Sequence, residues 1–127
     1  MIVGVGTDIV DVRRVAKTLQ RFGARFSAKV LCAAEQRPGL SDRKSAAYLA
    51  RQFAAKEAVS KVLGTGMRRG VHFKAIVVMR NAAGQPTVEL LAGAAKRAKQ
   101  LNIGHIHLSM SDEEDYAIAF AVAESDP

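Results

Sequence analysis

The sequence predicts an α+β fold in which a mostly antiparallel sheet packs on one long central helix. Three observations lead there. Residues 42–63 contain neither Gly nor Pro and stand between a capping Ser41 and Gly64, the start and stop signals of a long helix. Residues 73–91 and 105–123 each hold two strand-like runs about a polar turn, NAAGQP in the first and Asp112-Glu113-Glu114-Asp115 in the second, as hairpins do. The opening residues alternate in the period-two pattern of a strand. A chain of 127 residues, 49% of them apolar, can close one hydrophobic core but not two, so one domain is expected over residues 1–127.

From Ile2 to Thr7, Val3 and Val5 alternate with Gly4 and Gly6, giving a strand with one apolar face and one bare face on which Asp8 falls. Asp11 suits the N-cap of a helix running to about Phe22, stopped by Gly23. A shorter helix is expected over Phe26 to Glu35, and the central helix runs from Ser41/Asp42 to Leu63. Strands at Phe73 to Arg80 and Thr87 to Leu91 form the first hairpin. A helix over Ala94 to Leu101 ends at Asn102 and Gly104, and strands at His105 to Ser111 and Tyr116 to Ala123 form the second hairpin. In that last strand Ala117, Ala119, Ala121 and Ala123 share one face, while Ile118, Phe120 and Val122 share the other. The flat alanine face admits a close helix, and the alanine-rich central helix is the expected occupant.

Nineteen Lys plus Arg against twelve Asp plus Glu leave a net charge of +7, a field that draws an anionic partner such as a nucleic acid, a phosphorylated small molecule or an acidic protein. Two Tyr and five Phe are sparse for a base-stacking surface, so no nucleic acid is expected as partner. No uncharged run reaches the roughly 18 residues that cross a bilayer. The opening residues lack a signal-peptide pattern and the single Cys32 has no partner, so a cytoplasmic protein without a membrane partner is expected.

On a helical wheel Glu57 and Lys61 fall inside the apolar stripe of Leu49, Ala50, Phe53 and Ala54. Either they form an i,i+4 ion pair, or Glu57 is a buried carboxylate that needs Lys61 or a cation. If the central helix covers the glycine face of the first strand, Asp8 and Glu57 meet. Two carboxylates with no lysine between them make a hard oxygen site suited to Mg²⁺, which keeps waters and takes substrate phosphate oxygens. The first helix carries Arg13, Arg14, Lys17 and Arg21 on one side and Val12, Val15, Ala16, Leu19 and Phe22 on the other, which reads as a docking face or a solvated one. Arg43 and Lys44 open the central helix, and Gly64-Thr65-Gly66 after it is a phosphate cradle or a helix cap. His107, Ser109 and Ser111 share one strand face, opposite Ile106, Leu108 and Met110.

VGVGTDIVDVRRV at residues 3–15, together with FAAKEAVSKVLGTG at residues 53–66, resembles the holo-acyl-carrier-protein synthases, small phosphopantetheinyl transferases, and the resemblance continues through LSMSDEEDYA at residues 108–117. It implies the 4′-phosphopantetheinyl transferase fold and an enzyme of fatty acid biosynthesis. That enzyme moves 4′-phosphopantetheine from coenzyme A to a serine of apo acyl carrier protein and releases adenosine 3′,5′-bisphosphate. It further implies Mg²⁺ on Asp8 and Glu57, Glu57 and Lys61 as catalytic residues with Lys61 on the phosphate under attack, and Arg43 and Lys44 near the 3′-phosphate. The strand of His107 and Ser109 would face the nucleotide, the Gly84-Gln85-Pro86 turn would lie near the adenine, and the Gly64-Thr65-Gly66 cradle counts among the coenzyme A contacts. The helix of Arg13, Arg14, Lys17 and Arg21 would dock the carrier protein, and a homotrimer would place the site between subunits. One departure is Gln52, which stands where the family usually has Arg, with Arg51 one place earlier. A shift of one residue turns a side chain by about 100°, so nucleotide affinity is expected to be affected here.

Overall fold

The structure, a computed structural model, describes residues 1–127. In chain order it contains β1 (Ile2–Asp11), α1 (Val12–Phe22), α2 (Ala24–Val30), α3 (Asp42–Val62), β2 (Ile76–Arg80), β3 (Pro86–Leu90), α4 (Ala92–Gln100), β4 (Ile103–Asp112) and β5 (Tyr116–Ser125), with 3₁₀ turns at Ala33–Glu35 and Phe73–Ala75. Three long strands form an antiparallel sheet in the order β1-β5-β4, and β2 pairs with β3 in a separate antiparallel hairpin.

The α+β class and the central helix match the expectation. Helix α3 lies across the alanine face of β5, where Ala117, Ala119, Ala121 and Ala123 are fully buried. It also covers the bare face of β1. A Cβ built on Gly6 would stand 2.1 Å from the carbonyl oxygen of Ala58, so only glycine allows this approach. The consequence reaches the site, because close packing here sets Asp8, two residues further along β1, beside the last turns of α3.

Two expected elements are different. The helix expected over Phe26 to Glu35 is α2 followed by a separate 3₁₀ turn, with Leu31 extended between them. Glu35 is drawn into the interior instead. Its carboxylate accepts from Lys56 Nζ at 2.6 Å, Gln52 Nε2 at 2.8 Å, and the backbone amides of Val78 and Cys32, each at 3.0 Å. Phe73–Ala75 forms a 3₁₀ turn rather than the start of a strand. There the Phe73 carbonyl accepts from Lys56 at 2.9 Å and its ring packs on Phe53 with centroids 4.9 Å apart. In both places a buried lysine and glutamate, satisfied by four segments, outweigh local propensity. The first strand also runs on to Asp11, and α4 begins at Ala92, two residues earlier than expected.

Candidate active site

Asp11 ends β1 and caps α1, its Oδ1 accepting from the amide of Arg13 at 2.9 Å. This junction leaves a cleft of about 370 Å³ between the end of β1, helix α1 and helix α3. Asp8 and Glu57 both line it, with Arg14, Thr18, Phe26 and Phe53. The expected meeting of the two carboxylates therefore occurs.

Lys61 behaves differently from the sequence reading, which left the two carboxylates without a lysine between them. Its Nζ crosses to β1 and donates to the Thr7 carbonyl at 2.8 Å and to Asp8 Oδ1 at 3.2 Å. The i,i+4 pair with Glu57 does not form. Partial burial, then the charge of Asp8, pushes the Glu57 carboxyl above the usual carboxylate range, against a smaller opposing pull from Lys61. The Glu57 side chain accepts no hydrogen bond from the protein. One ammonium thus faces two carboxylates. A partly buried carboxylate without donors beside a second one is a donor set that fits a hard divalent cation completed by water and phosphate oxygens.

The other predicted residues divide into groups. Arg43 and Lys44 are exposed in the first turn of α3 with no acid paired to either, and the Lys44 amide donates to the Ser41 cap at 3.3 Å. Gly64 and Gly66 act as a helix end: both have positive φ, and their amides donate to the carbonyls of Lys61 and Ser60 at 3.0 and 3.2 Å. Of the three, only Thr65 keeps a free amide. Pro86 opens β3 opposite Arg80. His107 and Ser109 are exposed on the face of the sheet away from α3, opposite the buried Ile106. There His107 bonds to Glu124 across the strands, and its ring packs edgewise on His105 at 4.3 Å between centroids. One copy of the chain does not bring His107 and Ser109 to the Asp8–Glu57 cleft.

The basic face of α1 also loses a member. Arg13 donates through Nε and Nη2 to Asp11 at 2.9 and 3.0 Å and lies 3.6 Å from Asp115. It belongs to the cap, so the free arc is Arg14, Lys17 and Arg21. The departure at Gln52 receives a structural explanation. Gln52 is 3% exposed and donates to Glu35 and to the Val78 carbonyl, so it serves the interior hydrogen-bond network. Arg51 instead pairs with Asp112 at 3.4 Å. The sequence reading missed this network; the signal was available in the Lys56-Glu57 dipeptide, of which one member must face inward when α3 is covered on several sides. A larger cleft of about 700 Å³ flanks α1 on its other side, lined by Val12, Leu19, Leu40 and Arg43, and contains neither carboxylate.

Comparison with known proteins fits this geometry. The model of the 4′-phosphopantetheinyl transferase superfamily matches residues 4–121. A holo-[acyl-carrier-protein] synthase of Phenylobacterium zucineum is 45% identical over 133 aligned positions, covering 100% of this chain and 95% of that protein. The crystal structure of the holo-[acyl-carrier-protein] synthase from Neisseria meningitidis superposes with a TM-score of 0.90 at 40% identity, covering 98% of this chain and 100% of that one. The Bacillus anthracis holo-(acyl-carrier-protein) synthase in complex with CoA (3′,5′-ADP) gives a TM-score of 0.84 at 33% identity, with 99% of each chain covered. The chain belongs to the 4′-phosphopantetheinyl transferase superfamily and, within it, to the holo-[acyl-carrier-protein] synthases. No helix is long and apolar enough to cross a membrane.

Proposed function

We propose that residues 1–127 form one transferase domain that moves 4′-phosphopantetheine from coenzyme A to a serine of apo acyl carrier protein, dependent on Mg²⁺. The observation that carries this reading is the Asp8–Glu57 pair in a cleft walled on one side by the basic helix α1, with Lys61 paired to Asp8. Asp8 and Glu57 are the residues that would hold the metal, which supplies charge neutralisation on the pyrophosphate.

The chain's own groups account for the remaining steps. The serine oxygen attacks the β-phosphorus, the bridging P–O bond breaks, and adenosine 3′,5′-bisphosphate leaves with the bond's electron pair. Lys61, half exposed and anchored to the Thr7 carbonyl, meets the charge that grows on the phosphate in the transition state. Glu57, whose affinity for a proton is raised, takes the serine proton through an intervening water. Arg43, Lys44 and the free Thr65 amide bind the remaining phosphates. Arg14, Lys17 and Arg21 attract the acidic carrier protein, while the hairpin turn at Gly84-Gln85-Pro86 and the strand of His107 and Ser109 receive the nucleotide.

We infer in addition a homotrimer with sites between copies, and two observations support it. His107 and Ser109 face away from the carboxylate cleft. Around them the outer sheet face exposes Val5 at 58%, Ile9 at 64%, Ile118 at 45% and Phe120 at 48%, an apolar patch of the kind that a second subunit covers. A role in fatty acid biosynthesis and a cytoplasmic location, in keeping with the free thiol of Cys32, complete the reading. Weighing apo carrier protein after incubation with coenzyme A, Mg²⁺ and the enzyme tests it: a carrier heavier by one phosphopantetheine is expected, and an unchanged mass refutes it.

A further inference from the structure

Helix α3 is buried on several sides, and its small side chains do not by themselves fix its rotation. Ala54, Ala55 and Ala58 share a core with Ala119, Ala121 and Ala123 of β5, and Ala46 and Ala50 share one with Ala117. Methyl groups laid on methyl groups hold two surfaces close, yet they meet almost as well after a helix slips or turns. The Asp8–Glu57 pair depends on that rotation. One residue of slip turns a side chain by about 100°, which would carry Glu57 out of the cleft.

Lys56, the residue before Glu57, supplies the missing constraint. Its side chain is fully buried, and its ammonium donates to the Val30 carbonyl at 2.6 Å, to Glu35 Oε1 at 2.6 Å and to the Phe73 carbonyl at 2.9 Å. An ammonium has three donors, so none is left over. Each acceptor belongs to a different segment, since Val30 ends α2, Glu35 ends the first 3₁₀ turn and Phe73 begins the second. Two of these segments also build the wall of the carboxylate cleft. Helix α2 contributes Phe26, and the Phe73 ring packs on Phe53; Phe26 and Phe53 both line the cleft with Asp8 and Glu57. Glu35 is held in turn by Gln52, Val78 and Cys32, and the Tyr48 hydroxyl donates to its carbonyl at 2.6 Å. A buried ion pair is often no more stabilising than apolar side chains of the same volume, so stability alone does not account for one in an alanine-rich core.

We propose that Lys56, anchored by Glu35, is a positioning residue of the active site: it locks the rotation of α3 that presents Glu57 to Asp8 and holds Phe26 and Phe53 around them. Lys56 acts through Glu57 and touches no substrate. The inference rests on the reading of Asp8 and Glu57 as the metal-binding pair.

Glu35→Gln combined with Lys56→Met removes both charges, and the amide brought to position 35 can still accept from Val78 and donate to a carbonyl that the lysine leaves. Gln52→Met keeps the ion pair but removes the hydrogen bonds from Gln52 to Glu35 and to the Val78 carbonyl; it carries the test if the double variant does not fold. Circular dichroism and the urea midpoint report folding and stability. Binding of Mn²⁺, a hard divalent ion suited to carboxylates, is titrated by electron paramagnetic resonance without coenzyme A, and Asp8→Ala identifies the signal that belongs to the carboxylate pair. The double variant should bind Mn²⁺ about tenfold to a hundredfold more weakly, and Gln52→Met should show a smaller loss in the same direction. In transfer assays kcat should fall by a similar factor, with KM for coenzyme A changed less. A folded variant with a lower urea midpoint but the Mn²⁺ affinity and kcat of the wild type makes the pair a stabilising one only and overturns the proposal. A wild type that binds Mn²⁺ no better than Asp8→Ala refutes the metal reading and the proposal with it. If the wild type binds Mn²⁺ yet transfers nothing, the transferase reading fails and the Mn²⁺ titration still decides the role of Lys56.

Discussion

At Glu57, partial burial and the neighbouring Asp8 both favour the protonated carboxyl. Between the ordinary carboxylate pKa and the raised one, the folded state keeps a proton that the unfolded chain has lost. Stability from this group is therefore present at acid pH and lost as pH rises through the folded value. Glu57→Gln should raise the melting temperature by roughly a few degrees at neutral pH, with the gain disappearing below the carboxylate range. Mg²⁺ should stabilise the wild type and much less the variant, and a metal response of equal size in both would remove Glu57 from the site. Asp8→Ala should likewise abolish Mg²⁺-dependent transfer. Lys61, paired with Asp8 rather than with Glu57, gives a second test at this scale. Lys61→Ala should lower kcat by about a hundredfold while raising KM little; unchanged kcat with a lower melting temperature would make it a structural ion pair only. These three residues were legible as chemistry in the sequence, since a charge in an apolar helix stripe, or on the bare glycine face of a strand, needs a reason. Which acid Lys61 would meet was not, because that depends on the distance from α3 to a strand more than fifty residues away in sequence.

Among elements, the contact between β1 and α3 positions the site, and Gly6 sets its closeness. The clash that a methyl would make is with a backbone oxygen, at 2.1 Å, so no rotamer relieves it. Gly6→Ala should cost roughly 3 kcal/mol, read as a lower urea midpoint, and should impair Mg²⁺ binding by moving Asp8 from Glu57. Full stability in this variant would mean that the two elements separate freely. Helix α1 presents the free basic arc of Arg14, Lys17 and Arg21, which the proposed function assigns to the carrier protein. Arg14→Asp should raise KM for the carrier protein about tenfold and flatten its dependence on salt, with coenzyme A binding little changed. An equal loss toward both substrates would count against a dedicated docking face. Helix limits set by local signals, Ser41 and Gly64 for α3 and Asp11 and Gly23 for α1, matched the sequence reading closely. The segment from Ala24 to Glu35 did not, because Glu35 gains more from a buried network than from another helical turn.

For the whole molecule, the proposed assembly has a test that separates a shared site from a merely adhesive face. Mixing an inactive Asp8→Ala variant with an inactive His107→Ala variant should restore part of the activity, since some interfaces would then combine an intact carboxylate cleft with an intact histidine strand. Sedimentation of Phe120→Glu should show loss of the assembly, as a charge in the apolar face must be desolvated on contact. Failure of both would leave the outer face as solvated surface. The sequence by itself determined the class of fold, the central helix, the alanine face that receives it and the two carboxylates, because periodicity, capping residues and misplaced charges are local signals. The tertiary structure alone decided that Lys61 pairs with Asp8, that Arg13 and Gln52 serve the cap and the interior, and that His107 and Ser109 lie across the sheet from the cleft. Each of these depends on which segments, far apart along the chain, compete for the same hydrogen-bond partner or the same face, and that competition is settled only when the elements pack.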